Sequence, residues 1–170
     1  YISETFNFSS SASILTGLAL PIFSMISYNA AALLNKKIKN ELVSASLMFA
    51  LGGVASAALI FLGSSAAVSV ALMALITGCM HGVNLMLISC VPAYFSKYGR
   101  ISTVSGLLNA FTYLGSGVSG FGIAILSDKF GWQFTIVSWF VIAVVGTAVC
   151  AFCIKKWNKF LKGVNLYEQH

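Results

Sequence analysis

Long apolar segments alternate with short polar links along the whole chain. The apolar segments lie at about residues 9–34, 42–62, 66–95, 102–126 and 133–154. As a helix rising about 1.5 Å per residue, each is long enough to cross a hydrocarbon core of about 30 Å. The pattern therefore predicts an all-α membrane protein with five transmembrane helices.

Polar side chains interrupt the third and fourth segments at helical spacing. Thr77, His81 and Asn84 are four and then three residues apart, so they share one face of a helix. The fourth segment has a comparable stripe beside Tyr113, made of Ser105, Asn109, Thr112, Ser116 and Ser119. Polar groups inside a membrane are costly unless they face protein or water. We therefore expect a solute pathway here, with four candidate lining residues: His81, Asn84, Asn109 and Tyr113.

A structural role for the same side chains stays open. His81 could hydrogen-bond a solute or respond to protons, or it could bond a backbone carbonyl or Asn84 inside the bundle. Asn109 and Tyr113 could line the pathway, or they could hold neighbouring helices together.

Composition narrows the class of protein. Hydrophobic residues make up 58% of the 170 residues and charged residues only 8%, against about 25% charged residues in soluble domains. Signatures of hydrolases, zinc proteases and nucleotide-binding loops are absent from the sequence. The four acidic residues lie in links or at segment ends: Glu4, Glu41, Asp128 and Glu168. We expect neither an enzyme nor a proton relay of membrane carboxylates.

The four cysteines lie within apolar segments, at positions 79, 90, 150 and 153. Cys150 and Cys153 form a CxxC pair, but a redox or metal role needs access and further ligands or cations. We expect small buried thiols, and no cofactor or metal.

Charge distribution predicts an orientation. Nine of the ten cations lie in alternate links, at 35–40, 96–100 and 155–162, whereas Lys129 is on the other side. The positive-inside rule then places the amino terminus outside and the carboxyl terminus in the cytoplasm of a plasma (inner) membrane. Residues 155–170 are expected to form a basic cytoplasmic tail that contacts lipid headgroups rather than nucleic acid.

The fourth segment and the link after it carry a family resemblance. Residues 106–117 read GLLNAFTYLGSG, and residues 122–132 read GIAILSDKFGW. These runs resemble the eleventh helix and following turn of major facilitator superfamily transporters. They are closest to the organophosphate:phosphate antiporter branch, which includes glycerol-3-phosphate and hexose-phosphate carriers. Residues 1–6, YISETF, resemble the outer end of the seventh helix and do not include an initiating Met, so we expect a piece of a longer protein.

The resemblance implies that the five segments are helices eight to twelve, from the C-terminal six-helix bundle of a twelve-helix carrier. Alternating access then operates at a site between the two halves. Tyr113 matches an eleventh-helix position that faces the site, and His81 falls where the tenth helix often has Tyr. Asn35 replaces the Asp of the loop motif after helix eight. The anion-binding arginines of the branch lie on the first and seventh helices, and neither arginine is among these residues.

The expected function is that of part of a secondary transporter. It would move a small polar solute, an anionic phosphate ester in exchange for phosphate, with the N-terminal half of the same transporter and membrane lipid as its partners. Alternatives are a permease for a carboxylate, a sugar or a drug, a non-transporting sensor of the same fold, and a five-span structural or channel protein.

Overall fold

The computed structural model describes residues 5, 6 and 9–167, and this part of the chain is almost entirely helical, without a strand. The first three helices are α1 (Ser10–Ile38), α2 (Glu41–Leu62) and α3 (Ala66–Asn84). Residues 1–4, which carry most of the seventh-helix resemblance, and residues 168–170 of the predicted tail lie outside the described residues. The prediction of an all-α chain is confirmed.

A glycine divides the last helical run, Ile101–Tyr167, into two helices. Gly131 has φ 77° and ψ 174°, a conformation outside the helical region that glycine adopts without a Cβ clash. We call residues 101–130 α4 and residues 132–167 α5. Ile123 and Trp139 line one cavity, although a straight helix would place them about 24 Å apart. The chain therefore folds back at Gly131.

Two links are shorter than the sequence predicts. The basic link at 35–40 is helical as far as Ile38, and α5 continues beyond 154 through the basic segment to Tyr167. Between α1 and α2, Lys39 has a φ of 54° and Asn40 is extended. Asn40 Oδ1 accepts a hydrogen bond from Val43 N at 3.0 Å and so caps α2.

The third predicted segment changes helix type near its end. A π-helical turn, Leu85–Cys90, follows α3 and leads into a short α-helical turn, Val91–Ala93. At the π turn the backbone hydrogen bonds join residues five apart instead of four: Val91 N donates to Met86 O. Pro92 has no N–H for a four-residue bond, which favours this slip. The first α-helical part of this segment thus ends at Asn84, eight residues before Pro92.

Small residues let α2 pack closely against its neighbours. A Cβ on Gly53 would lie 3.4 Å from the Cβ of Ala143 in α5, and one on Gly52 would meet Met80 and Cys79 in α3. These glycines therefore let α2 approach both neighbours closely, and close approach of backbones is how membrane helices gain contact area.

Three basic segments meet at one end of the bundle. The rings of Tyr94 and Trp157 are 5.4 Å apart, and those of Phe95 and Phe160 are 5.2 Å apart. Glu41, at the start of α2, also contacts Trp157. Links 35–40 and 96–100 therefore lie beside the basic segment of α5, as the alternation of helices predicts.

Three helical segments in the described chain are long and apolar enough to cross a membrane: Glu41–Leu62, Ala66–Ala93 and Ile101–Gly163. The last has 63 residues, about 95 Å if it were straight, and the break at Gly131 lies within it. It covers the fourth and fifth predicted spans. Their length and apolar composition are those of membrane-spanning helices, and among the described residues α1 is not one of these segments.

Candidate functional site

Two cavities meet at Thr77 and His81. One, of about 510 Å³, lies between α1 and α3, and its polar lining residues are Ser24, Tyr28, Asn29, Thr77 and His81. The second, of about 340 Å³, also includes Thr77 and His81 and extends past Ser56, Ile123 and Trp139. The predicted polar face of α3 is thus part of both cavity walls.

One hydrogen bond determines the tautomer of neutral His81. Its Nδ1 lies 2.9 Å from the carbonyl oxygen of Thr77, one turn earlier. A carbonyl oxygen only accepts, so Nδ1 must donate, and Nε2 of the neutral ring is left as an acceptor. The side chain is exposed. His81 therefore makes the backbone bond expected of a structural histidine and still has a nitrogen available for a ligand.

Neutral groups make up the polar part of both walls. Leu20, Pro21 and Met25 contribute apolar surface to the first cavity, and neither cavity has a lysine, arginine or carboxylate among its lining residues. Within the described residues these walls are thus suited to neutral hydrogen-bonding groups beside apolar surface, a common composition for small-molecule pockets.

The other three candidate residues lie away from these two cavities. Asn84 is exposed at the end of α3, Asn109 is half-buried in α4, and Tyr113 is 75% exposed. The lining residues of the two cavities include none of them. The described fold therefore brings Thr77 and His81 together with α1. Tyr113 does not line either of the cavities that contain Thr77 and His81.

Both faces of α4 are open over residues 111–120. Tyr113 and Val118 are equally exposed, at 75% each. A Cβ added at any glycine of this helix would meet nothing within 4 Å; these are Gly106, Gly115, Gly117, Gly120 and Gly122. The close crossing that these glycines suggest is not made with the described part of the chain.

Sequence analysis missed a polar cluster at the basic end of the bundle. Glu41 is 3% exposed. Its Oε1 accepts from Tyr94 OH at 2.8 Å and from Asn35 Nδ2 at 3.3 Å, and its Oε2 accepts from Trp157 Nε1 at 3.2 Å. The sequence placed Glu41 at a segment end. Only the hydrogen-bonding residues in or beside the three basic links could have suggested that these links meet around Glu41.

The four cysteines differ in how far they are buried. Cys79 and Cys150 are buried, Cys90 is half-buried and Cys153 is exposed; all four thiols are free. The expectation of buried thiols is wrong for Cys153, because three residues turn it about 60° around α5 from Cys150, which packs in a cluster with Ala45 of α2.

Comparisons of the chain with protein-family models, with curated proteins and with solved structures found no match. A functional assignment therefore has to come from the helices, the cavities and the exposed face of α4.

The wall positions on α1 and α2 were only partly visible in the sequence. Ser24 and Tyr28 are four residues apart in an apolar helix, which is the same signal that marked Thr77 and His81. Ser56 sits among the small residues of α2, where packing is the simpler interpretation. Polar pairs one turn apart were thus the informative signal, and α1 had one too.

Proposed function

We propose that the chain is part of a secondary transporter that moves a small polar solute across a membrane by alternating access. All five helices cross the membrane in this proposal, as part of the C-terminal bundle of a major facilitator superfamily carrier. An anionic phosphate ester, exchanged for phosphate, is the proposed solute class. The observation that carries the proposal is the pair of cavities that meet at Thr77 and His81 inside a bundle of apolar helices.

The exposed α4 supports the same proposal. Its polar stripe is exposed over residues 111–120, and a Cβ at its glycines would meet nothing in the described chain. Polar groups at membrane depth need protein or water around them. The N-terminal half of the transporter would cover this face and complete a water-filled pathway. Asn109 and Tyr113 would then line the pathway opposite that half, and Asn84 would lie near its basic end.

Orientation follows from charge. The three basic segments lie at one end of the bundle, which would be cytoplasmic under the positive-inside rule. The proposed location is the plasma (inner) membrane, with the carboxyl terminus in the cytoplasm. Membrane lipid and the N-terminal half are the proposed partners, and no catalytic reaction, cofactor or metal is part of the proposal.

The proposal is tested by reconstituting the longer parent protein in phosphate-loaded vesicles. We expect labelled glycerol 3-phosphate to enter in exchange for internal phosphate and the rate to saturate with solute. Ligand binding without any flux would favour a sensor of the same fold. Conductance that does not saturate with solute would favour a channel, and flux of only a sugar, a carboxylate or a drug would replace the solute class.

His81→Ala and Tyr113→Phe in the parent are each expected to lower uptake about fivefold, because one hydrogen bond contributes about 1 kcal/mol. Membrane yield should be unchanged. Val118→Ala, on the opposite face of α4, is the control and should transport normally. Normal uptake by both site variants would remove these two residues from the pathway.

A further inference from the structure

Three hydroxyl groups on the cavity walls share one property: each has already donated its hydrogen to its own helix. Ser24 Oγ donates to Leu20 O at 2.9 Å, and Thr77 Oγ1 donates to Met73 O at 2.8 Å. Ser56 Oγ donates to Gly52 O at 2.8 Å. A hydroxyl has one hydrogen and two lone pairs, so each of these oxygens can now only accept.

The side chains that carry nitrogen have also used some of their hydrogen-bond donors. His81 donates through Nδ1 to Thr77 O, which leaves Nε2 as an acceptor. Asn29 Nδ2 donates one hydrogen to Met25 O at 3.0 Å, and its Oδ1 can accept. Hydrogens remain for a ligand on Tyr28 OH, on the second N–H of Asn29 and on Nε1 of Trp139, which lines the second cavity. The described walls therefore present mainly acceptors.

We infer that these walls bind the hydroxyl-bearing, uncharged end of the transported solute. The inference rests on the proposed transport function and specifies which part of the solute this chain recognises. Fully ionised phosphate and carboxylate groups only accept hydrogen bonds, so lone pairs at Ser24, Thr77 and His81 would repel them. With no lysine or arginine among the lining residues, we place the anionic end outside these walls.

An uncharged donor suits the walls better than an ammonium group. No carboxylate lies among the lining residues of either cavity, and a cation taken out of water without a countercharge is costly. Hydroxyl groups meet the acceptors without that cost, and the apolar residues beside them, such as Met25 and Ile76, can pack against a carbon skeleton.

Transport by the parent in vesicles gives the first test, with four probes: glycerol 3-phosphate, propyl phosphate, 2-aminoethyl phosphate and inorganic phosphate. We expect Thr77→Val and His81→Leu each to raise KM for glycerol 3-phosphate about fivefold, since each removes one acceptor. KM for propyl phosphate and for inorganic phosphate should not change. Thr147→Val is the matched control: Thr147 makes the same bond within α5, to Ala143 O at 2.8 Å, and lines neither cavity.

Equal losses for all four probes would overturn the inference, and so would a wild-type preference for 2-aminoethyl phosphate over glycerol 3-phosphate. Binding is measured separately, as the rise in Tm of the detergent-solubilised parent with each probe and with the neutral polyol glycerol. Hydroxylated probes should stabilise the wild type and stabilise Thr77→Val less. If the vesicles transport none of the phosphates, the proposed transport function fails. The Tm measurements still test the inference in that case. The inference would be overturned if none of the hydroxylated probes raised the wild-type Tm.

Discussion

Replacing Gly78 by valine is expected to destabilise the bundle by about 3 kcal/mol, the upper end of the range for overpacked sites. A Cβ on Gly78 would lie 2.1 Å from Ser27 Oγ and 2.8 Å from Ser27 Cβ, far inside contact distance. Because the backbone fixes the positions of both Cβ atoms, neither can turn away, and α1 would have to move off α3. That movement would open the cavity that contains Ser24 and His81.

Unfolding of the chain in detergent micelles, followed by circular dichroism against temperature, checks this expectation. Gly115→Val in α4 is the control, because a Cβ there meets nothing within 4 Å. We expect a large fall in Tm for the first variant and a small change for the second. Equal Tm values for both variants would mean that α1 does not pack on α3 at Gly78.

Replacing Glu41 by leucine is expected to cost about 3 kcal/mol of unfolding free energy, because three donors lose their acceptor. Tyr94 OH, Asn35 Nδ2 and Trp157 Nε1 all point at this buried carboxylate. Hydrogen bonds to charged groups contribute about 1.5–3 kcal/mol each, and a buried donor left unpaired costs about 1–3 kcal/mol. Part of this loss in unfolding free energy would be recovered, because the three donors could hydrogen-bond to water at the end of the bundle.

The milder substitution Glu41→Gln separates shape from hydrogen bonding. Glutamine keeps one acceptor oxygen, but its amide nitrogen would face another donor, so we expect an intermediate loss of stability. Asp128→Asn is the matched carboxylate-to-amide control, at an exposed position. The same Tm for Glu41→Leu, Asp128→Asn and the wild type would contradict this description of the cluster.

Most of the helical layout could be predicted because apolar length is a strong signal. Helices α2 and α3 begin within one residue of the predicted segments. The C-terminal ends of α1 and α5 were harder to predict, because both helices continue through lysines, Lys36 and Lys155. Lysine has a good helix propensity, so a change from apolar to polar residues does not by itself indicate that a helix ends. The fold-back at Gly131 lay within the predicted link, since a glycine beside a polar cluster indicates a turn.

The candidate site could be predicted only in part. Helical spacing identified the face of Thr77 and His81, and the structure places both on cavity walls. The partners on those walls come from α1 and α2, and a single sequence does not reveal which helices adjoin. Asn109 and Tyr113 stay a prediction, because their face of α4 lies open in the described chain. Glu41 was passed over because its burial depends on three separate links meeting at one end.

Thiol labelling along α4 in the parent protein tests the central claim, that one face of this helix borders a water-filled pathway. Single cysteines replace Asn109, Tyr113 and Ser116 on the polar face, and Leu107, Phe111 and Val118 on the opposite face, in a background with the other cysteines removed. A membrane-impermeant maleimide applied to vesicles should label the first three positions and leave the second three unlabelled. Equal labelling of both faces, or labelling of the opposite face alone, would contradict the proposed pathway.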